Sequence, residues 1–503
     1  MAKNKTKPTQ VSVASYLASI RKVLMRRFLP ALLFACCAVL ATSKAGAQSK
    51  PPAVVVEHVS VIDVRAGNVH NDQTVVIEHG RITSVAPAGS AKSPAGATIV
   101  DGRHKFLIPG LWDMHVHAAW PGLDAMFAPL FVANGVTGVR EMYGSPFVIA
   151  AWKQKYQTGG PWPRMIGSGH ILDGPKPFWP GSTVAANADE ARQAVDKLHA
   201  GGADFIKVYT KLPRDAYFAA LDEAKRIGTY CAGHVPDAVS VSEASDHGQR
   251  SIEHLTGVAP ECSKDADAMR AERAAAAADT SANLVKIWLG QSERILSTQD
   301  PKRAADLFGR LKRNQTWQVP TLTVLRSMSS MDDSVFTADP RVKYMPEQIV
   351  SGWDWKHDFR FRSRTPEDWE NGKKMFKLNT GIVGAMNRAG VPIMAGTDML
   401  NPFTFPGFSL HDELVNLTDA GLSPAEALRA ATLNPAVFMN ATDSLGTVEK
   451  GKRADLVLLD ANPLEDIHNT QKVNAVVLNG RYYDRAALDA LMAASQKMAR
   501  PEQ

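Results

Sequence analysis

Cysteine is scarce in this chain of 503 residues: there are four, Cys36, Cys37, Cys231 and Cys262. That excludes a disulfide-stapled scaffold and a cysteine metal cluster, so stability has to come from a packed core. Long apolar runs are missing too. The stretch Phe28 to Leu40 is too short for a good membrane span. Residues 1–47 lack any acid but carry Lys3, Lys5, Lys7, Arg21, Lys22, Arg26, Arg27 and Lys44. Removing those eight charges from the formal +6 leaves −2 for the remainder, so the basic balance is local and nucleic acid is excluded as a partner. No low-complexity linker interrupts the rest, whose 45% hydrophobic and 21% charged composition is that of a globular protein.

The acid-free segment has the layout of a secretory signal. Arg26-Arg27 precede the apolar run, and Ala45-Gly46-Ala47 offers a small-residue cleavage site. Met25 is an alternative start to Met1. The expectation is an exported protein, periplasmic or secreted, with residues 1–47 removed, no stable membrane insertion afterwards, and Cys231 and Cys262 as its remaining cysteines.

Residues 52–108 alternate short β-rich runs with turns: Ala53 to Val56, Val59 to Ile62, Thr74 to Ile77 and Ile82 to Val85. Residues 441–485 repeat that style in Ala454 to Asp460 and Val473 to Gly480, and a tail follows at 486–503. A small β-sandwich built from both chain ends is expected. Between them, residues 109–440 alternate apolar strands with amphipathic helices, the pattern of parallel βαβ units. The candidate strands are Leu107 to Val116, Gly135 to Met142, Arg164 to Gly169, Asp204 to Tyr209, Tyr230 to Val235, Arg250 to Leu255, Gln318 to Val324 and Val391 to Thr397. The fold class is therefore α/β, a TIM-like (β/α)8 barrel, whose chemistry belongs at the carboxyl ends of its strands.

Polar residues appear at those ends. His115 and His117, two apart on a strand, project to one side and make half of a divalent-metal site. Lys207, His234, His254 and Asp398 terminate later strands and join them. Pro109 to His117, Ile206-Lys207-Val208, His234, His254 and Gly396-Thr397-Asp398, with Ala427 to Ala436 and Gly451 to Val457, resemble in order the amidohydrolase superfamily, in its imidazolonepropionase- and prolidase-like branch with binuclear sites.

The resemblance implies two divalent metal ions, zinc by ligand type. His115, His117 and Asp398 fit one metal, and His234 and His254 the other. Lys207, carbamylated by CO2, bridges both. A hydroxide shared by the metals attacks an amide carbonyl, and Asp398 moves the proton. Tyr209 and His170 are placed to hold a substrate carboxylate or the oxyanion; relatives use a tyrosine and a histidine there. The expected activity is hydrolysis of amide or peptide C–N bonds in a dipeptide or N-acyl amino acid. The alternative is a lactone, cyclic amide or xenobiotic amide such as a mycotoxin, and homo-oligomerisation stays open.

Elsewhere the plainer reading prevails. Glu253 is expected to face away from the barrel interior, since it alternates with His254. Arg140 and the loop Phe405 to His411 are weaker substrate-binding candidates. The loop Gly174 to Gly181 is expected to wall the mouth. Insertions at about 262–316 and 326–375 are expected to lie over the catalytic face.

Overall fold

The computed structural model describes residues 52–279 and 282–501, so the expected signal segment lies outside the described residues. The N-terminal strands are β1 (Val54–Asp63), β2 (Asn68–Glu78), β3 (Arg81–Pro87), β4 (Thr98–Asp101) and β5 (Phe106–Pro109). Next come β6 (Leu111–Val116), β7 (Val136–Glu141), β8 (Arg164–Gly167), β9 (Ile171–Asp173) and β10 (Thr183–Val184). They are followed by β11 (Ile206–Val208), β12 (Cys231–Gly233), β13 (Ser251–Glu253) and β14 (Trp317–Val319). The chain returns in β15 (Leu456–Leu459), β16 (Val473–Leu478) and β17 (Arg481–Tyr483).

Both chain ends build one sheet, ordered β17-β16-β15-β5-β1-β2-β3 with β4 on β1. The expected sandwich is therefore hydrogen bonded as a single sheet. It curls until Ile82 N reaches Lys452 O at 2.9 Å and Ala454 N reaches Gly80 O at 3.0 Å. Val54, Val56, Val75 and Ile77 then share a core with Leu456, Leu458 and Val477. The runs Ala53 to Val56 and Val59 to Ile62 are one strand. His58, at φ 57°, makes the bulge between them.

The expected strand Leu107 to Val116 is divided between two sheets. β5 pairs with β1 and β15, whereas β6 pairs with β7. Gly110 is the crossing point, where a Cβ would lie 2.0 Å from Thr137 Oγ1, so only glycine fits.

A ring of parallel strands follows. One arc is β6-β7-β8 and the other runs from β9 through β11, β12 and β13 to β14. Asp204 N bonds Gly167 O at 2.9 Å across the first seam. Residues 391–399 fill the second, with Met394 N on Gln318 O at 2.9 Å and Met114 N on Ala395 O at 3.0 Å. The expected strand Val391 to Thr397 is thus an extended segment held by isolated bridges. Pro392 cannot donate to a ladder, and Asp398 and Leu400 have positive φ.

The strand expected at Gln318 to Val324 ends early. Thr321 turns left-handed at φ 49° and Leu322–Ser329 is a helix. Glu413 accepts the Leu322 and Thr323 amides at 2.9 and 2.7 Å and so caps it. The helix Arg214–Arg226 ends just before Gly228, and Ser423 caps Pro424–Ala430 with Glu426 closing a capping box, both as their sequence signals require. The first insertion is helical, Ala266–Ala278, Leu284–Ser297 and Pro301–Arg313.

Candidate metal centre

The four histidines are held in a common way, each through Nδ1. His115 Nδ1 meets Glu253 Oε2 at 2.8 Å, and His117 Nδ1 meets the Tyr143 carbonyl at 3.3 Å. His234 Nδ1 meets Thr210 Oγ1 at 2.8 Å, and His254 Nδ1 meets Thr321 Oγ1 at 2.7 Å. A carboxylate and a carbonyl can only accept, so His115 and His117 carry their proton on Nδ1. The Thr321 hydroxyl donates to Pro320 O at 2.8 Å and therefore accepts from His254. For these three rings the outer partner turns Nε2 toward the cluster, the arrangement in which an imidazole binds a metal.

Nε2 of His115 and Nε2 of His234 are buried without a hydrogen-bond partner. Asp398 lies among the rings. Its Oδ1 is 3.4 Å from His115 Nε2 and 2.9 Å from His117 Nε2, and its Oδ2 is 3.8 Å from His254 Nδ1. His115, His117 and Asp398 have ligand atoms close enough to share one ion. Ring centroids of His115 and His254 are 4.5 Å apart, and those of His254 and His234 are 5.0 Å apart. His234 and His254 thus extend the cluster beyond His115, His117 and Asp398.

Electrostatics agree with a cation at this place. His117 Nε2 and a carboxylate oxygen 2.9 Å apart need positive charge between them, a proton or a metal ion. Burial disfavours a charged His117, but its bonds to Asp398 and Glu141 outweigh burial and raise its pKa to about 9. Burial, joined by Lys207 and neighbouring rings, holds His115 and His234 well below the usual imidazole value, and His254 at about 4. Burial would raise Asp398, but His254, His117 and Lys207 bring it below the ordinary carboxylate value, so it is ionised. Imidazoles and a carboxylate are a donor set that suits a divalent cation, which would take the place of the proton on His117.

Lys207 is central on β11 and 1% exposed. Desolvation brings its amine to about 8, against the opposing pull of Glu253 and Asp398. Gly233 on β12 makes the room: a Cβ there would meet Lys207 Cδ at 2.9 Å.

Two sequence expectations are corrected below this layer. Glu253 does not face away. It is fully buried, holding His115 through Oε2 and accepting from Arg140 at 2.8 Å and from Ser251 at 2.6 Å. His254 has φ 58°, which breaks the strand alternation and lets both neighbours face inward. Arg140 is likewise no substrate contact. It is fully buried, donates to Met114 O at 2.7 Å, and lies 5.1 Å from the Phe438 ring. His411 is spent on Thr470 and the Asn134 carbonyl, both at 3.0 Å, which removes it from the loop's candidates. Asp113, unremarked in the sequence, is buried and accepts the Thr397 amide and hydroxyl at 3.0 and 2.7 Å. It ties β6 to the residue before Asp398. A buried acid two residues before His115 on the same strand was its available signal.

The rim carries the remaining candidates. Tyr209 stacks on His234 at 3.9 Å, and its hydroxyl accepts from Trp179 Nε1 at 2.8 Å. His170 is half-buried, one residue before Ile171, the register partner of Lys207. Phe178 packs on Trp288 at 6.0 Å and Phe359 at 5.7 Å, so the Gly174 to Gly181 loop joins both insertions beside Tyr209.

The amidohydrolase family model matches residues 377–482, which include Asp398. An imidazolonepropionase from Geobacillus sp. (strain WCH70) is 40% identical over 98 residues, 18% of this chain and 23% of the relative. The chain spans about a quarter of the length of the curated relatives it matches. A bottromycin amidohydrolase structure aligns over 90% of this chain and 92% of its own, with TM-score 0.69 and 23% identity. A Xaa-Pro dipeptidase structure with methionine in its active site aligns over 86% and 100%, with TM-score 0.61 and 20% identity. These two likenesses establish a TIM-barrel type fold of mixed α/β content.

Proposed function

Starting from a chain that resembles the amidohydrolase superfamily in its imidazolonepropionase- and prolidase-like branch, we propose an exported metal-dependent hydrolase of amide C–N bonds, acting on dipeptides or N-acyl amino acids. One observation carries the reading: four imidazoles anchored through Nδ1 gather with Asp398 beside a buried lysine whose amine is lowered to about 8.

In this reading His115, His117 and Asp398 would hold one ion, and His234 and His254 the other. Lys207, whose buried amine is lowered to about 8, would complete the donor set as a carbamate formed with CO2. Two divalent ions, zinc by donor type, supply a nucleophile at neutral pH and polarise the scissile carbonyl.

The chain's own groups do the rest. Asp398, held below the ordinary carboxylate value despite its burial, would accept the nucleophile's proton and deliver it to the leaving amine. Tyr209, fixed by its stack on His234, presents its hydroxyl to the substrate carboxylate or the oxyanion, and His170 approaches from the adjoining strand. Phe178 and Trp179 wall the mouth.

Zinc-loaded mature protein is expected to cleave members of a panel of dipeptides, Xaa-Pro compounds and N-acyl amino acids, read by amine release. Cleavage of lactones alone would refute the assignment.

A further inference from the structure

A tryptophan indole donates and never accepts, whereas a phenol does both once. Trp179 Nε1 lies 2.8 Å from the Tyr209 hydroxyl, so the oxygen is the acceptor and its own proton is left to give elsewhere. Among the described residues that proton has no acceptor. The ring cannot turn to seek one, because it is stacked on His234 at 3.9 Å.

The loop that brings Trp179 is itself tied down. Phe178 N donates to Asp173 at 2.8 Å, Tyr143 donates to Pro180 O at 2.7 Å, and Ser182 donates to Trp179 O at 2.8 Å. Phe178 rests on Trp288 of the first insertion, and Trp179 on Phe359 of the second, at 6.1 Å. Two cations flank these rings. Lys211 Nζ is 5.9 Å from the Phe178 ring, and the Arg360 guanidinium is 5.8 Å from that of Trp179.

We propose that Trp179 is a positioning residue that makes Tyr209 a hydrogen-bond donor to the substrate, and that the acceptor is a carboxylate next to the scissile amide. Both insertions then act on substrate choice through this loop rather than by touching the reacting bond. The inference rests on the hydrolase reading given above.

The test is a double-mutant cycle with Trp179→Phe and Tyr209→Phe on any cleaved N-acyl amino acid and its methyl ester. Each single change is expected to raise KM for the acid by roughly tenfold or more, the cost of a lost bond to a charged group, with a smaller change in kcat. The double variant should match Tyr209→Phe alone, and the ester should be indifferent. Multiplying effects, or an unaffected Trp179→Phe, would overturn the proposal. Calorimetric titration with L-proline and L-phenylalanine, carboxylates that such a reaction releases, reads the same cycle without turnover. Should no amide be cleaved while these ligands show the cycle, the hydrolase reading fails and the positioning role stands.

Discussion

At the scale of single residues, the outer partner of each ring matters as much as the ring. Glu253 does two jobs, since one carboxylate orients His115 and neutralises Arg140, both fully buried. Glu253→Gln keeps the shape but weakens the charge behind His115. Metal affinity is expected to fall by about 10–100-fold, measured by competition with a chelator, and stability should fall too because a neutral amide keeps hydrogen bonds to Arg140 but not its counter-charge. Glu253→Leu should be worse in a different way, leaving Arg140 buried without its counter-charge at a cost of about 3–5 kcal/mol in urea unfolding.

At the scale of elements, the strand ends were legible because short apolar runs bounded by turn residues stop at each polar side chain. They single out His115, His117, Lys207, His234, His254 and Asp398 as polar residues on or just past apolar strands, and the resemblance to the amidohydrolase superfamily supplies their ligand roles. The inward turn of Glu253 was not legible, because one positive φ at His254 overrides alternation and leaves no mark in composition. The helix at Leu322–Ser329 was hidden for another reason: its cap, Glu413, comes from far along the chain. The division at Gly110 depends on Thr137, equally remote.

The segment 391–399 deserves a test as an element, since it carries Asp398 with few ladder bonds. A Cβ on Gly396 would lie 2.6 Å from Val319 Cγ1 and 3.0 Å from His115 Cβ. Gly396→Ala is therefore expected to push this segment outward. Stability should fall by about 1–3 kcal/mol, and metal binding should weaken along with it, since Asp398 moves. Thermal unfolding with and without zinc checks both effects, and an unchanged metal-dependent shift would count against the assigned packing.

At the scale of the whole molecule, a barrel-type ring carries the candidate metal site, while N- and C-terminal strands join in one curled sheet with its own core. The insertions add aromatic cover beside that site rather than new ligands. The proposed two-metal centre then turns on Lys207, whose carbamate would be needed to hold a second ion. Native mass spectrometry of zinc-loaded protein in bicarbonate measures metal count and carbamylation together. The account predicts two zinc ions per chain plus the mass of one carbon dioxide, the latter lost together with one zinc in Lys207→Ala. One zinc per chain with an unmodified lysine would contradict it.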